Sequence, residues 1–115
     1  MNTAYDTKMA LILGTLENIK ALDITVIDIR TYNSIADTLV IASGTSSRHI
    51  KSMADVLIEK IKASGELPLG TEGQDGSDWV LVDLGNIVVH LMLPEARARY
   101  DLEHLWSASP AKNKG

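Results

Sequence analysis

The chain has no cysteine and no phenylalanine, only 4% aromatic residues, and three prolines. Without cysteine there is no disulfide scaffold, no cysteine-ligated zinc, no iron–sulfur cluster and no thiol nucleophile, and a reducing compartment fits. No apolar run approaches the roughly 18 consecutive residues of a membrane helix. The N-terminus lacks signal-peptide character: its first charge is Asp6, its apolar positions are spaced, and no small-residue cleavage site follows. Positive charge is scarce too. Eleven Lys and Arg against fifteen Asp and Glu give a net charge of -4 and a pI near 5.2. That excludes phosphate contact as the main source of affinity and confines nucleic-acid contacts to a rim. The expectation is a soluble cytoplasmic protein with no membrane association, whose acidic surface suits a basic partner.

What is present is enough apolar material for one core: 45% of 115 residues are hydrophobic, so one domain is expected over residues 1–106, with 107–115 as a flexible tail ending in the basic stretch Lys112 to Lys114. Met9, Ile12, Leu13, Leu16, Ile19 and Lys20 recur at spacings of three and four, predicting a helix from about Asp6 to Ala21. Gly14 within it either allows close packing or marks tolerance. Ile24 to Arg30 is β-branched and reads as a strand; Thr38 to Ser43 reads as a strand buried on both faces, with turn chemistry at Tyr32, Asn33, Ser34 and Asp37 between them. Ile50, Met53, Ala54, Leu57, Ile58 and Ile61 draw a second helix, capped by Thr45, Ser46 or Ser47 and stopped by Gly65. Leu67-Pro68-Leu69 reads as a short extended or edge segment, and Gly70 to Asp78 as a polar loop. Pro94 opens a last helix, Glu95 to Leu105. These elements imply an α/β domain with a mixed sheet of four or five strands and flanking helices.

The densest information lies in Trp79 to Met92, which reads as a hairpin turning at Gly85-Asn86. Alternation puts Val80, Val82, Ile87, Val89 and Leu91 on one face and Trp79, Leu81, Asp83, Val88, His90 and Met92 on the other. One apolar face builds a core; the second needs either a covering helix or a partner. Tryptophan, methionine and leucine around an Asp/His pair have the make-up of a binding hot spot, and His90 either pairs with Asp83 or is itself a contact.

Catalytic constellations are thin. Gly44-Thr45-Ser46-Ser47 between a strand and a helix offers donors for a phosphate, with Arg48 nearby, although capping explains the same residues and the Walker spacing and lysine are missing. A nucleotidyltransferase would add a D-x-D carboxylate pair to hold metals about 4 Å apart. Here Asp78 and Asp83 lie five residues apart, an odd offset that sends them to opposite faces, and Asp28-Ile29-Arg30 offers one carboxylate. His49, His90 and His104 show no ligand spacing. No catalytic residue, metal or cofactor is expected. The alternative is a nucleotidyltransferase-like enzyme or nucleotide-binding regulator using Gly44 to Arg48.

Taken in order, Asp23 to Arg30, Ser34-Ile35-Ala36-Asp37, the run IASGTSSRHIKSMAD from Ile41 to Asp55, Glu72-Gly73, Trp79 to Asp83, Gly85, Val88-Val89-His90 and the pattern from Glu95 through Arg97, Tyr100-Asp101-Leu102-Glu103 to Leu105-Trp106 resemble the ribosomal silencing factor family, also called Iojap. Each motif alone is weak; their order and spacing are specific, over nearly the whole chain after Leu22. The resemblance implies a nucleotidyltransferase-like fold without the catalytic carboxylate pair. It also implies a non-enzymatic translational repressor that binds the large ribosomal subunit through its protein L-fourteen and blocks joining of the small subunit under nutrient limitation. By the same analogy, partner contacts fall on Trp79, Asp83, Leu84, His90 and Met92, with Leu81 and Glu72 as outer candidates. Leu84 belongs by parity to the core face but could splay outward at the tip; it and Asn86 depart from the family's common aromatic and aspartate. Arg97, Tyr100 and Trp106 are open to core packing, support of the docking face or a homodimer.

Overall fold

A computed structural model describes residues 3–29, 37–73 and 78–107, with side chains from 4 to 104 within those ranges. The expected turn at Tyr32 to Ser34, the middle of the loop before Trp79, and the tail beyond 107 lie outside the described residues. In chain order the elements are α1 (Thr3–Asn18), β1 (Leu22–Asp28), β2 (Thr38–Ser43), α2 (Ser47–Ala63), β3 (Gly70–Glu72), β4 (Trp79–Asp83), β5 (Ile87–Met92), α3 (Pro94–Tyr100) and α4 (Leu102–Ser107). The five strands form one mixed sheet in the order β1-β2-β5-β4-β3. Only β2 and β5 run parallel to each other. They sit at the centre, and every residue of β2 is buried, as expected for a strand covered on both faces.

The main core lies between the sheet and α1 with α2. From α2 it takes Ile50, Met53, Ala54, Leu57 and Ile61; from the sheet Val40, Ala42, Val80, Val82, Ile87, Val89 and Leu91; and from α1 Ile12 and Leu16. Spacings of three and four put the α2 set on one stripe. Ser46 caps α2 by accepting the His49 amide, while Lys60 and Lys62 face the negative end of the helix dipole. After the C-cap at Ser64, Gly65 adopts φ +98°, a left-handed conformation that suits glycine. Gly14 meets nothing within 4 Å of where a side chain would start, so close packing does not account for it. Among the described residues no helix is long and apolar enough to cross a membrane.

A second, smaller cluster on the opposite face joins Ile29, Leu39, Ile41, Met92 and Ala96, with Trp79, Val88 and Leu102 at its margin. α3 and α4 therefore cover part of the second face: α3 lies on β5 and its Tyr100 reaches Trp79 of β4, while α4 lies on β1. Two expectations are corrected here. The anticipated loop from Gly70 opens with the edge strand Gly70–Glu72, to which Leu67 to Leu69 leads: Leu69 donates its amide to the Asp83 carbonyl at 2.8 Å, and the ladder continues from there. The single last helix is two helices. Asp101 turns to φ 52° and ψ 50° and closes α3 by bonding the Arg97 carbonyl; its Oδ1 then accepts the His104 amide at 3.3 Å. One aspartate thus ends one helix and caps the next.

Candidate functional site

The hairpin register pairs Trp79 with Met92, Leu81 with His90 and Asp83 with Val88, and β3 adds Glu72 beside Leu81. Side-chain alternation therefore gathers Glu72, Trp79, Leu81, Asp83, Val88, His90 and Met92 on the face away from α1 and α2. Gly85, at φ +90°, occupies the first central turn position that a two-residue hairpin of this kind requires. Glu72, Gly73, Trp79 and Leu81 line a shallow groove of about 230 Å³.

Trp79 is the centre of this face. Its indole Nε1 donates to His90 Nδ1 at 2.9 Å, and the Tyr100 ring packs against it with centroids 4.6 Å apart. An accepting Nδ1 means a neutral imidazole with its proton on Nε2. His90 is only 7% exposed, and burial pushes its pKa down to about 4 because the charged form has lost its water. His90 thus pairs with Trp79 and not with Asp83, whose Oδ1 accepts the Gly85 amide at 3.0 Å.

The other anticipated contact residues divide by burial. Trp79, Leu81 and Asp83 are half-buried and Glu72 is exposed. Met92 is fully buried and Leu84 is 2% exposed, so neither offers side-chain surface to a partner. Leu84 does not splay outward: it packs into the main core, following the parity of its strand. Met92 fills the space beneath Ala96 and supports the face from below. Tyr100, half exposed, joins the face beside Trp79, with the Arg99 guanidinium 5.3 Å from its ring centroid. Strand parity could not find it, because it arrives from a helix.

α3 and α4 are held in place by Arg97. Its Nε and Nη2 bond both carboxylate oxygens of Glu103 at 2.9 Å, Nη1 reaches Ser43 Oγ at 3.0 Å, and Nη2 also reaches Thr25 Oγ1 at 2.9 Å. This bidentate geometry is the strong form of the arginine–carboxylate pair. Hydrogen bonding to Arg97 holds the Glu103 carboxyl below its usual range, opposed by partial burial. Arg97 and Glu103 therefore join the two helices to β1 and β2 and fix where Tyr100 stands.

The glycine-serine turn is closed on itself. Gly44 donates to the Met92 carbonyl at 3.1 Å, Thr45 N–H to His49 Nδ1 at 2.9 Å, and His49 N–H to Ser46 Oγ at 3.1 Å. His49 Nε2 in turn donates to the Ile19 carbonyl at 2.8 Å, tying this turn to the end of α1. These groups serve capping and packing, the bland explanation for the motif. A Cβ on Gly44 would come within 2.9 Å of Ile50 Cγ1 and of the Met53 methyl. The methionine can swing away, but the β-branched isoleucine cannot, so Gly44→Ala is expected to lower stability by about 1–2 kcal/mol. Chemical denaturation checks this; an unchanged midpoint would mean that α2 shifts freely at its start. Asp78 and Asp83 form no pair, since Asp78 Oδ2 lies 3.4 Å from Arg99 Nη2 while Asp83 serves the turn. Among the described residues no three His, Asp or Glu side chains converge as a metal site would require.

Fold and site together define a small α/β domain whose most differentiated surface is an aromatic, acid-rimmed face on a hairpin. The chain belongs to the family described as ribosomal silencing factor during starvation, whose model matches residues 2–114. It is 44% identical to the ribosomal silencing factor RsfS of Haemophilus influenzae over 84% of this chain and 94% of that protein. It is 41% identical to the mouse mitochondrial assembly of ribosomal large subunit protein 1 over 90% of this chain and 46% of that protein. A crystal structure of a Chromobacterium violaceum protein, 38% identical, superposes with a TM-score of 0.86 over 89% of this chain and 85% of that one.

Proposed function

We propose that this protein represses translation by docking on the free large ribosomal subunit through ribosomal protein L-fourteen, using the face formed by Glu72, Trp79, Leu81 and Asp83, with Tyr100 at its edge. The observation that carries the reading is Trp79: a half-buried tryptophan held by His90 on one side and by Tyr100 of α3 on the other, beside the open groove of Glu72, Gly73 and Leu81. A rigid aromatic with its polar atom already bonded loses little entropy on binding, which is what an interface anchor needs. Glu72 and Asp83 set an acidic rim suited to a basic ribosomal protein. The names of the relatives supply the ribosome and, for the mouse protein, its large subunit.

The mechanism is occlusion. A protein that binds the large subunit only while it is unjoined shifts the joining equilibrium by mass action, and no bond need be made or broken. In a joining assay with purified large and small subunits, added protein is expected to lower the fraction of joined ribosomes in proportion to its occupancy, and to cosediment with large subunits alone. Unaltered joining at saturating protein would remove this function.

A further inference from the structure

The hairpin tip is gripped from behind by α1. Tyr5, Lys8 and Ile12 lie on one side of that helix, and the Lys8 side chain, only 10% exposed, reaches across to the turn. Its ammonium donates to Glu66 Oε2 at 2.5 Å, to Asn86 Oδ1 at 3.0 Å and to the Leu84 carbonyl. An ammonium has three N–H donors, and here all three are used, two of them on the tip. From the opposite side of the sheet the Asp83 carboxylate accepts the Gly85 amide. The Leu84 side chain, buried in the main core, completes the hold.

We propose that Lys8 is a positioning residue for docking: it acts through Leu84 and Asn86 to fix the turn, and so the direction in which Asp83 presents its carboxylate to the partner. The role rests on the docking reading above. It makes a side chain on the far side of the sheet, untouched by the partner, part of the binding machinery. A two-residue turn around a glycine at positive φ has little stiffness of its own. Part-buried, charge-assisted hydrogen bonds supply it.

The test compares the wild-type protein with Lys8→Met, which keeps the length and removes the charge. Amide hydrogen exchange in the free protein is expected to quicken about ten-fold at Leu84 and Gly85, the scale of one charge-assisted hydrogen bond, while α2 and β2 amides keep their rates. Affinity for isolated large subunits should fall by a similar factor, about ten-fold. Unchanged exchange at the tip overturns the strut, and faster exchange with undiminished affinity overturns its role in docking. Should Lys8→Met destabilise the whole fold, Asn86→Ala removes one tip acceptor and leaves α1 intact, and the same two readouts decide. If the wild-type protein itself fails to bind large subunits, the docking reading falls and this role with it, whereas the exchange data still report on the strut.

Discussion

Replacing Trp79 with alanine is expected to weaken binding to isolated large ribosomal subunits by roughly thirty-fold or more, the consequence of removing a central anchor worth about 2 kcal/mol. An interface of ordinary size buries roughly 800 Å² on each partner, and a few aromatic side chains near its centre carry most of the energy. Trp79 is half-buried and its indole is fixed by His90 and Tyr100, so most of its ordering precedes binding. The substitution also takes the donor away from His90 Nδ1. Leu81→Arg, placed on the same face beside the groove, separates that structural loss from the interface: it should weaken binding with little change in the denaturation midpoint. Sedimentation of each variant with large subunits is the measurement. Wild-type affinity in both variants would show that the partner binds elsewhere.

Acid should weaken the fold well before ordinary carboxylates titrate, and His90 is the reason. Its folded-state pKa is pushed down to about 4 from 6.5, so between those values the unfolded chain binds a proton that the native protein does not. The contribution is complete above pH 6.5, is lost progressively as pH falls toward 4, and stays constant below. From pH 7.5 to pH 5 the unfolding free energy is expected to drop by about 2 kcal/mol through this group. Glu103 acts in the same direction at lower pH: its pKa is held below 4.5 chiefly by hydrogen bonding to Arg97, so its contribution is present above 4.5 and is lost as pH falls through the folded-state value. Urea unfolding at several pH values, for the wild type and for His90→Gln, provides the check. Equal slopes between pH 5 and 7.5 in the two proteins would show that His90 carries no such burden.

Both predictions turn on a face whose strand residues were legible in the chain. The period of two along Trp79 to Asp83 and Ile87 to Met92, with a two-residue turn at Gly85-Asn86, sorts these side chains without reference to anything distant, and the observed register follows it. The α2 stripe and the double-sided burial of Thr38 to Ser43 were readable for the same reason. β3 was not: Gly-Thr-Glu has no strand pattern, and it becomes a strand because Leu69 and its successors find the open edge of β4. The break at Asp101 hid inside a helical pattern, since an aspartate within an amphipathic run looks like any exposed polar position.

By itself, then, the sequence determined the elements that obey short-range rules, the two faces of the hairpin and, through the order of its motifs, the family. Only the tertiary structure decided how much of the second face stays open, because that depends on where α3 and α4 are carried by the Arg97–Glu103 pair. It also decided that His90 serves Trp79, that Leu84 turns inward, that Tyr100 joins the face, and that Lys8 holds the tip from 76 and 78 residues away. Those outcomes are contacts between segments far apart in the chain, and local periodicity carries no term for them.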